Sequence, residues 1–273
     1  MKRRVGIVGY GKLGKFLAQA IQESELKNTY ELSFVWNRDP NKIGKEIPTE
    51  KIITKLSDFQ QHPSDLIVEV AHPIVSQQWG VAFLEHCDYM AGSPTAFAQQ
   101  KTEDALREAA SKNGLYIPRG ALPGLEEVLS MKQAGTLAKV AITMKKHPSS
   151  LKFSGPLSFD LQTLVGRQTV YQGPLRSLCG YAPNNVNTMA VLSMASECGF
   201  DHVQATLIAD TNLEHHITEV SLLGPLRNGQ RYSLDLIRKS PAGAGAVTSS
   251  ATFHSFLRSM KQSKNAGPGV HFR

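Results

Sequence analysis

The chain has 273 residues, 41% of them hydrophobic and 19% charged, the composition of an ordinary globular protein with length for one large domain or two smaller ones. Nothing in it approaches the roughly twenty consecutive apolar residues of a membrane-spanning helix, and three cysteines with no CxxC pair fit neither a disulfide framework nor a zinc knuckle. The net charge of +7 is spread over scattered lysines and arginines without a nucleic-acid-binding signature, so anionic small molecules are its expected partners, not nucleic acid or membrane.

Lys2-Arg3-Arg4 begins like a signal peptide, but the apolar stretch behind it carries Gly9, Gly11, Lys12 and Lys15, and no small-residue cleavage site follows. A cytoplasmic location is the expectation. Residues 4–8 read as a strand, then a glycine turn, then a helix with Leu13, Phe16, Leu17 and Ile21 at helical spacing. A second strand is expected at 30–36, ending in Asn37-Arg38-Asp39-Pro40. "DLIVEV" at 65–70 is a nearly continuous apolar run, as in a parallel strand buried on both faces. His72-Pro73 ends it, and helix, strand, helix and strand follow at 74–86, 89–91, 102–113 and 115–118. This alternation predicts a doubly wound α/β Rossmann domain over about 1–120.

After Gly120 the texture changes. A glycine-started helix at "GALPGLEEVLSMKQAG" is followed by longer strands at 139–145 and 205–210, with a loop and helix (187–197) between them. Strands at 216–223 and 231–237 flank a turn at Asn228-Gly229, and a small-residue linker is expected at 240–245. These elements predict a second α/β domain with a mixed sheet over 121–245. A closing amphipathic helix at about 246–262 folds back onto the first domain in this reading, and the tail beyond Lys264 is expected to fray.

Gly9-Tyr10-Gly11-Lys12-Leu13-Gly14 lies between a predicted strand and helix, where the dinucleotide fingerprint requires it. Gly9 permits the tight turn, Gly11 lets backbone approach a pyrophosphate, and Gly14 allows close helix–strand packing. The tip of the second strand, where a carboxylate usually holds the ribose, carries Asn37 and Arg38. Arg38 can pair with a 2′-phosphate, which makes NADP as acceptable as NAD. Ala71 and His72, just past the third strand, are placed as cofactor-cleft lining.

"VEVAHP", "PRGALPGLEEV", "YAPNNVNTMAVLSMA", "LIADTNLEHHITEVSLLG" and "AGAVTSSATFHSFL" together resemble the L-aspartate dehydrogenase family, above all its animal members, over almost the whole chain. The resemblance implies reversible oxidative deamination of L-aspartate to iminoaspartate, then oxaloacetate and ammonia, with NAD or NADP. It further implies a homodimer formed through an α/β substrate and dimerisation domain. The family's active-site histidine falls on His216, with His215 adjacent, and its cofactor contacts on Ala121 and on Asn187 or Asn185. Two stretches depart from bacterial members: Glu214 replaces their asparagine, and 240–244 replaces an NPKTS-like segment. A cofactor-binding protein without turnover, or a related homoserine-dehydrogenase-like or imine-reducing enzyme, therefore stays open as an alternative.

The residues have their own chemical reading. Histidine suits proton management near neutral pH because its unperturbed pKa is about 6.5. A dicarboxylate needs cations, and Lys145-Lys146 stand at a strand end, where alternation sends one to each face; Lys146 is the candidate substrate residue. Adjacent His215 and His216 face opposite sides of a strand, so no metal is expected.

Overall fold

The computed structural model describes residues 1–23, 25–242, 245 and 250–273. The chain divides into two compact units: residues 1–118 with 257–273, and residues 119–256.

The first unit starts with β1 (Arg3–Val8), whose residues are nearly all buried, and α1 (Lys12–Glu23), which buries Gly14, Leu17, Ala18 and Ile21 along one face. Next come β2 (Tyr30–Trp36), the two-residue β3 (Ile52–Ile53), β4 (Leu66–Glu69), α2 (Pro73–His86), β5 (Asp88–Ala91), α3 (Gln100–Ala109) and β6 (Gly114–Ile117). β1, β4, β5 and β6 are fully or almost fully buried, which explains why their sequences are continuous apolar runs with no polar alternation. Packed aromatics anchor this core: the Phe59 ring meets Phe83 edge-on at 4.9 Å, and Phe83 leans on Tyr89 at 5.3 Å.

Chain order continues into the second unit with α4 (Leu125–Gln133), β7 (Lys139–Lys146), β8 (Arg167–Pro174), α5 (Leu175–Tyr181), α6 (Asn187–Ser196), β9 (Gln204–Asp210), β10 (His215–Leu223) and β11 (Ser233–Pro241). They form a five-stranded sheet in the order β11-β10-β7-β9-β8. Only the β7–β9 pair is parallel, so the sheet is mixed, as expected. The strict in–out alternation of β7 and β10 gives this sheet one buried and one open face. Asn228 and Gly229, both at positive φ, close the β10–β11 hairpin through the Arg227–Gln230 bridge, which is the conformation an Asn-Gly turn favours. β8 was not anticipated. Only Val170 along it is buried, so its sequence shows no apolar alternation.

α7 (Ser250–Gln262) leads back to the first unit, and β12 (Gly269–Phe272) follows it. The expected frayed tail is thus an ordered strand, paired in parallel with β6 from Gly269–Gly114 to Phe272–Ile117. The Arg273 N–H adds a further bond to the Ile117 carbonyl at 3.0 Å. The completed first sheet reads β12-β6-β5-β4-β1-β2-β3, parallel throughout. Residues 243 and 244 of the expected linker, and 246–249 ahead of α7, lie outside the described residues.

Candidate active site

In the first unit, the strand order reverses at β1, between β2 and β4, the switch point where doubly wound sheets bind ligand at the carboxyl ends of their strands. The glycine turn occupies that point. Gly9 holds φ +112°, and a Cβ there would lie 2.8 Å from the Ala71 nitrogen and the Val70 carbonyl group. A Cβ on Gly14 would lie 2.0 Å from the Gly9 carbonyl oxygen, so α1 starts this close to β1 only with glycine. Above Gly11 the space is open: beyond its own stretch of chain, no atom of the described residues lies within 4 Å of a Cβ position. Two tight glycines and one facing open space, at the N-terminus of α1, fit a dinucleotide's pyrophosphate.

The residues around the turn are unequal. Asn37 is occupied: its Oδ1 accepts the Tyr10 N–H at 3.1 Å and its Nδ2 donates to the Asp39 carbonyl at 2.8 Å, so its side chain braces the turn. Asp39 caps the short 3-10 turn at 40–42 by accepting the Asn41 N–H. Arg38 is exposed, and its charge, after burial, helps lower the pKa of His72. Tyr10 is buried and donates from its hydroxyl to Glu46 at 2.7 Å, which folds the 44–47 segment against the turn; Lys15 lies 5.5 Å above its ring. Lys12 is exposed and Leu13 half-buried at the start of α1, while Ala71 and His72 are exposed just past β4. The His72 ring accepts the Ile74 N–H at 3.3 Å and caps α2.

In the second unit, strand pairing brings the candidate catalytic residues together. Ile217 of β10 pairs with Lys145 of β7, so His216 and Lys146 take the next facing positions, both on the buried side. His216 is 9% exposed and Lys146 3%. Lys146 Nζ donates to the Asn185 carbonyl at 3.2 Å, and burial pulls its pKa down from 10.5 to about 8. Lys145 faces the open side and pairs with Glu219. His215 faces that side too.

The Asn185 amide bonds within the protein: Oδ1 accepts the Lys152 N–H at 2.8 Å, and Nδ2 donates to the Ser150 carbonyl at 2.8 Å. That amide anchors the 150–152 loop, and Asn187 is the first residue of α6. Ala121 is half-buried, one residue after Gly120. Sequence reading missed Arg238. On β11 it shares the inner face with Ser240, the partner of His216, and it is half-buried beside Arg119. It donates to the Ser240 hydroxyl at 3.1 Å and the Gly120 carbonyl at 3.4 Å. Strand alternation from Ser240 was the available signal. Among the described residues, no group of three or more His, Cys, Asp or Glu is arranged to hold a metal, and no helix is long and apolar enough to cross a membrane.

A parallel nucleotide-binding sheet with this glycine turn, joined to a mixed-sheet unit that buries a histidine beside a lysine, defines an NAD(P)-dependent oxidoreductase of two-unit design. Residues 9–118 match the family described as "Homoserine dehydrogenase, NAD binding domain", and residues 127–262 match "Aspartate dehydrogenase, C-terminal". The chain is 42% identical to an "Aspartate dehydrogenase domain-containing protein" of Danio rerio, over 98% of this chain and 97% of that one. It is 29% identical to an "L-aspartate dehydrogenase" of Methanococcoides burtonii, over 81% of this chain and 83% of that one. The crystal structure of aspartate dehydrogenase from Thermotoga maritima superposes with a TM-score of 0.70 at 22% identity, covering 97% of this chain and 98% of that one, a likeness of fold. The chain belongs to the aspartate dehydrogenase family, and its cofactor is NAD or NADP.

Proposed function

We propose that the protein is an L-aspartate dehydrogenase, reversibly oxidising L-aspartate to iminoaspartate, which water converts to oxaloacetate and ammonia. The observation that carries this reading is the burial of His216 and Lys146 on the same face of the sheet, one step beyond the last paired residues of β10 and β7, Ile217 and Lys145. When bound, NAD(P) supplies the hydride acceptor. Gly9, Gly11 and Gly14 with the start of α1 would hold its pyrophosphate. Lys146, with Arg238 on the same face, supplies positive charge for the substrate's carboxylates. His216 takes the proton that leaves the substrate nitrogen and releases it to solvent; neutral again, it accepts one from the water that attacks the imine carbon, and returns that proton to the nitrogen as the C–N bond breaks and ammonia leaves. The test is oxidation of NADH or NADPH on addition of oxaloacetate and ammonium. Cofactor binding without turnover on that pair would favour the non-catalytic reading, which the exposed Glu214 keeps in view.

Arg38 is the exposed cation at the ribose end of the turn, and neither Asn37 nor Asp39 has a side chain free to replace it. Arg38→Ala is expected to raise KM for NADP about tenfold, the worth of one charge-assisted hydrogen bond, and to leave KM for NAD nearly unchanged. Equal effects in steady-state kinetics would remove Arg38 from cofactor selection. The homodimer is also part of the proposal. The open face of the second sheet, with Ile217 half-buried and Ile237 64% exposed, offers a surface for a second copy, and solution mass at micromolar concentration reports it.

A further inference from the structure

β4 ends on an acid that the chemistry above does not use. Glu69 is 0% exposed, yet among the described residues no lysine or arginine pairs with it. Its Oε1 accepts the Ala71 N–H at 2.6 Å, the His72 N–H at 2.9 Å and the Ser93 hydroxyl at 3.0 Å. Oε2 accepts the Ser93 N–H at 2.9 Å and faces the Ser76 hydroxyl at 3.5 Å, which in turn shares a 2.6 Å bond with the buried Tyr89. One carboxylate therefore ties the turn after β4 to the turn after β5. The Val70–Ala71 peptide fixed in this way is the surface on which Gly9 rests, 2.8 Å from its Cβ position.

We propose that Glu69 is the positioning residue of the dinucleotide site: its ionised carboxylate sets the 70–72 turn, and through it the height of the glycine turn that receives the pyrophosphate. The proposal rests on the cofactor site described above. A carboxylate suits this place because every partner that meets it squarely is a donor. A glutamine, or a protonated glutamate, must turn one oxygen site into a donor. Placed at the Oε2 position, that donor can be accepted by Ser76 but leaves the Ser93 N–H facing another donor.

Two features separate this role from simple packing. Glu69→Gln keeps volume and polarity, so a packing role predicts little change, whereas loss of a buried acceptor predicts about tenfold weaker NADH binding. The second feature is pH. Burial pushes the Glu69 carboxyl up to about 7 against the donors that favour its charge. The titratable groups facing it are Tyr89 on β5, whose pKa burial raises well above 10, and His72 on the adjoining turn, lowered from its usual 6.5 by burial and Arg38. Tyr89 stays neutral throughout, and His72 is common to wild type and variant.

The experiment is fluorescence titration of the full chain with NADH between pH 5.5 and 8.5, for wild type, Glu69→Gln and Ser93→Ala. Wild-type Kd is expected to rise toward the Glu69→Gln value as pH falls through about 7, and the Glu69→Gln profile to lack that step. Ser93→Ala, which removes only the hydroxyl donor, is expected to shift Kd in the same direction by a few-fold. If Glu69→Gln does not fold, the wild-type step and the Ser93→Ala shift carry the test. Unchanged affinity in the variants, or a wild-type profile flat across pH 7, would overturn the brace while leaving the cofactor site intact. A wild type with no affinity for NADH would remove both.

Discussion

His216→Ala is expected to lower NAD(P)H oxidation by oxaloacetate and ammonium by about 10²–10⁴-fold, the usual worth of a positioned proton-transfer group, without changing NAD(P)H affinity. The separation follows from the roles proposed: His216, on the buried face of β10, handles the substrate's protons, whereas the glycine turn holds the pyrophosphate. His215 is the internal control. It is adjacent in sequence but faces the open side beside the Lys145–Glu219 pair, so His215→Ala should keep near-wild-type turnover. Parallel initial-rate assays and NADH titrations of the two variants check the assignment. Equal losses in both, or loss of cofactor affinity in His216→Ala, would contradict it.

Lys146→Met should weaken binding of a C4 dicarboxylate by about ten- to a hundredfold, since one charged hydrogen bond to a buried ammonium is worth about 1.5–3 kcal/mol. Succinate is the suitable probe, because it has no amine to titrate and both its carboxylates stay ionised above neutrality. The sign with pH follows from the lowered pKa of about 8. Lys146 is charged below that value, so wild-type affinity for succinate should be full near pH 7 and fall as pH rises through 8, and Lys146→Met should be flat. Stability moves the other way. A lysine that titrates near 8 when folded and near 10.5 when unfolded opposes folding at neutral pH, and this penalty shrinks only as pH climbs from 8 toward 10.5. Lys146→Met therefore should bind less yet melt no lower than wild type at pH 7. A variant that binds succinate normally would take Lys146 out of the substrate site.

Much of the nucleotide-binding half can be read from the chain because its strands are buried on both faces and its turn needs glycine at fixed places. "VGIVGYGKLG" and "DLIVEV" announce β1, α1 and β4 within a residue or two. Edge strands announce themselves poorly. β8 buries one side chain, and β12 is four half-buried residues whose existence depends on a partner 155 positions earlier in the pairing of Gly269 with Gly114. In the candidate site, alternation along β7 separates Lys146 from Lys145 and alternation along β10 separates His216 from His215, both readable from sequence. For Asn185 and Asn37 the sequence offered no sign of the bonds both side chains make within the protein, because an asparagine that ties down a loop looks, as a letter, like one that meets a ligand. Glu69 left a trace that was easy to pass over: one acid inside an apolar run, too buried to be there for solvation.

The closing strand β12 bears on how the protein is made. On the ribosome, the nucleotide-binding sheet is begun before the second unit's sheet and completed after it, because its edge beside β6 waits for residues 269–272. The second unit, residues 119–256, is contiguous and can complete itself in the meantime. Until the tail emerges, the nascent first unit carries an unpaired parallel edge at Gly114–Ile117, the kind of surface that chaperones cover and that neighbouring chains can capture.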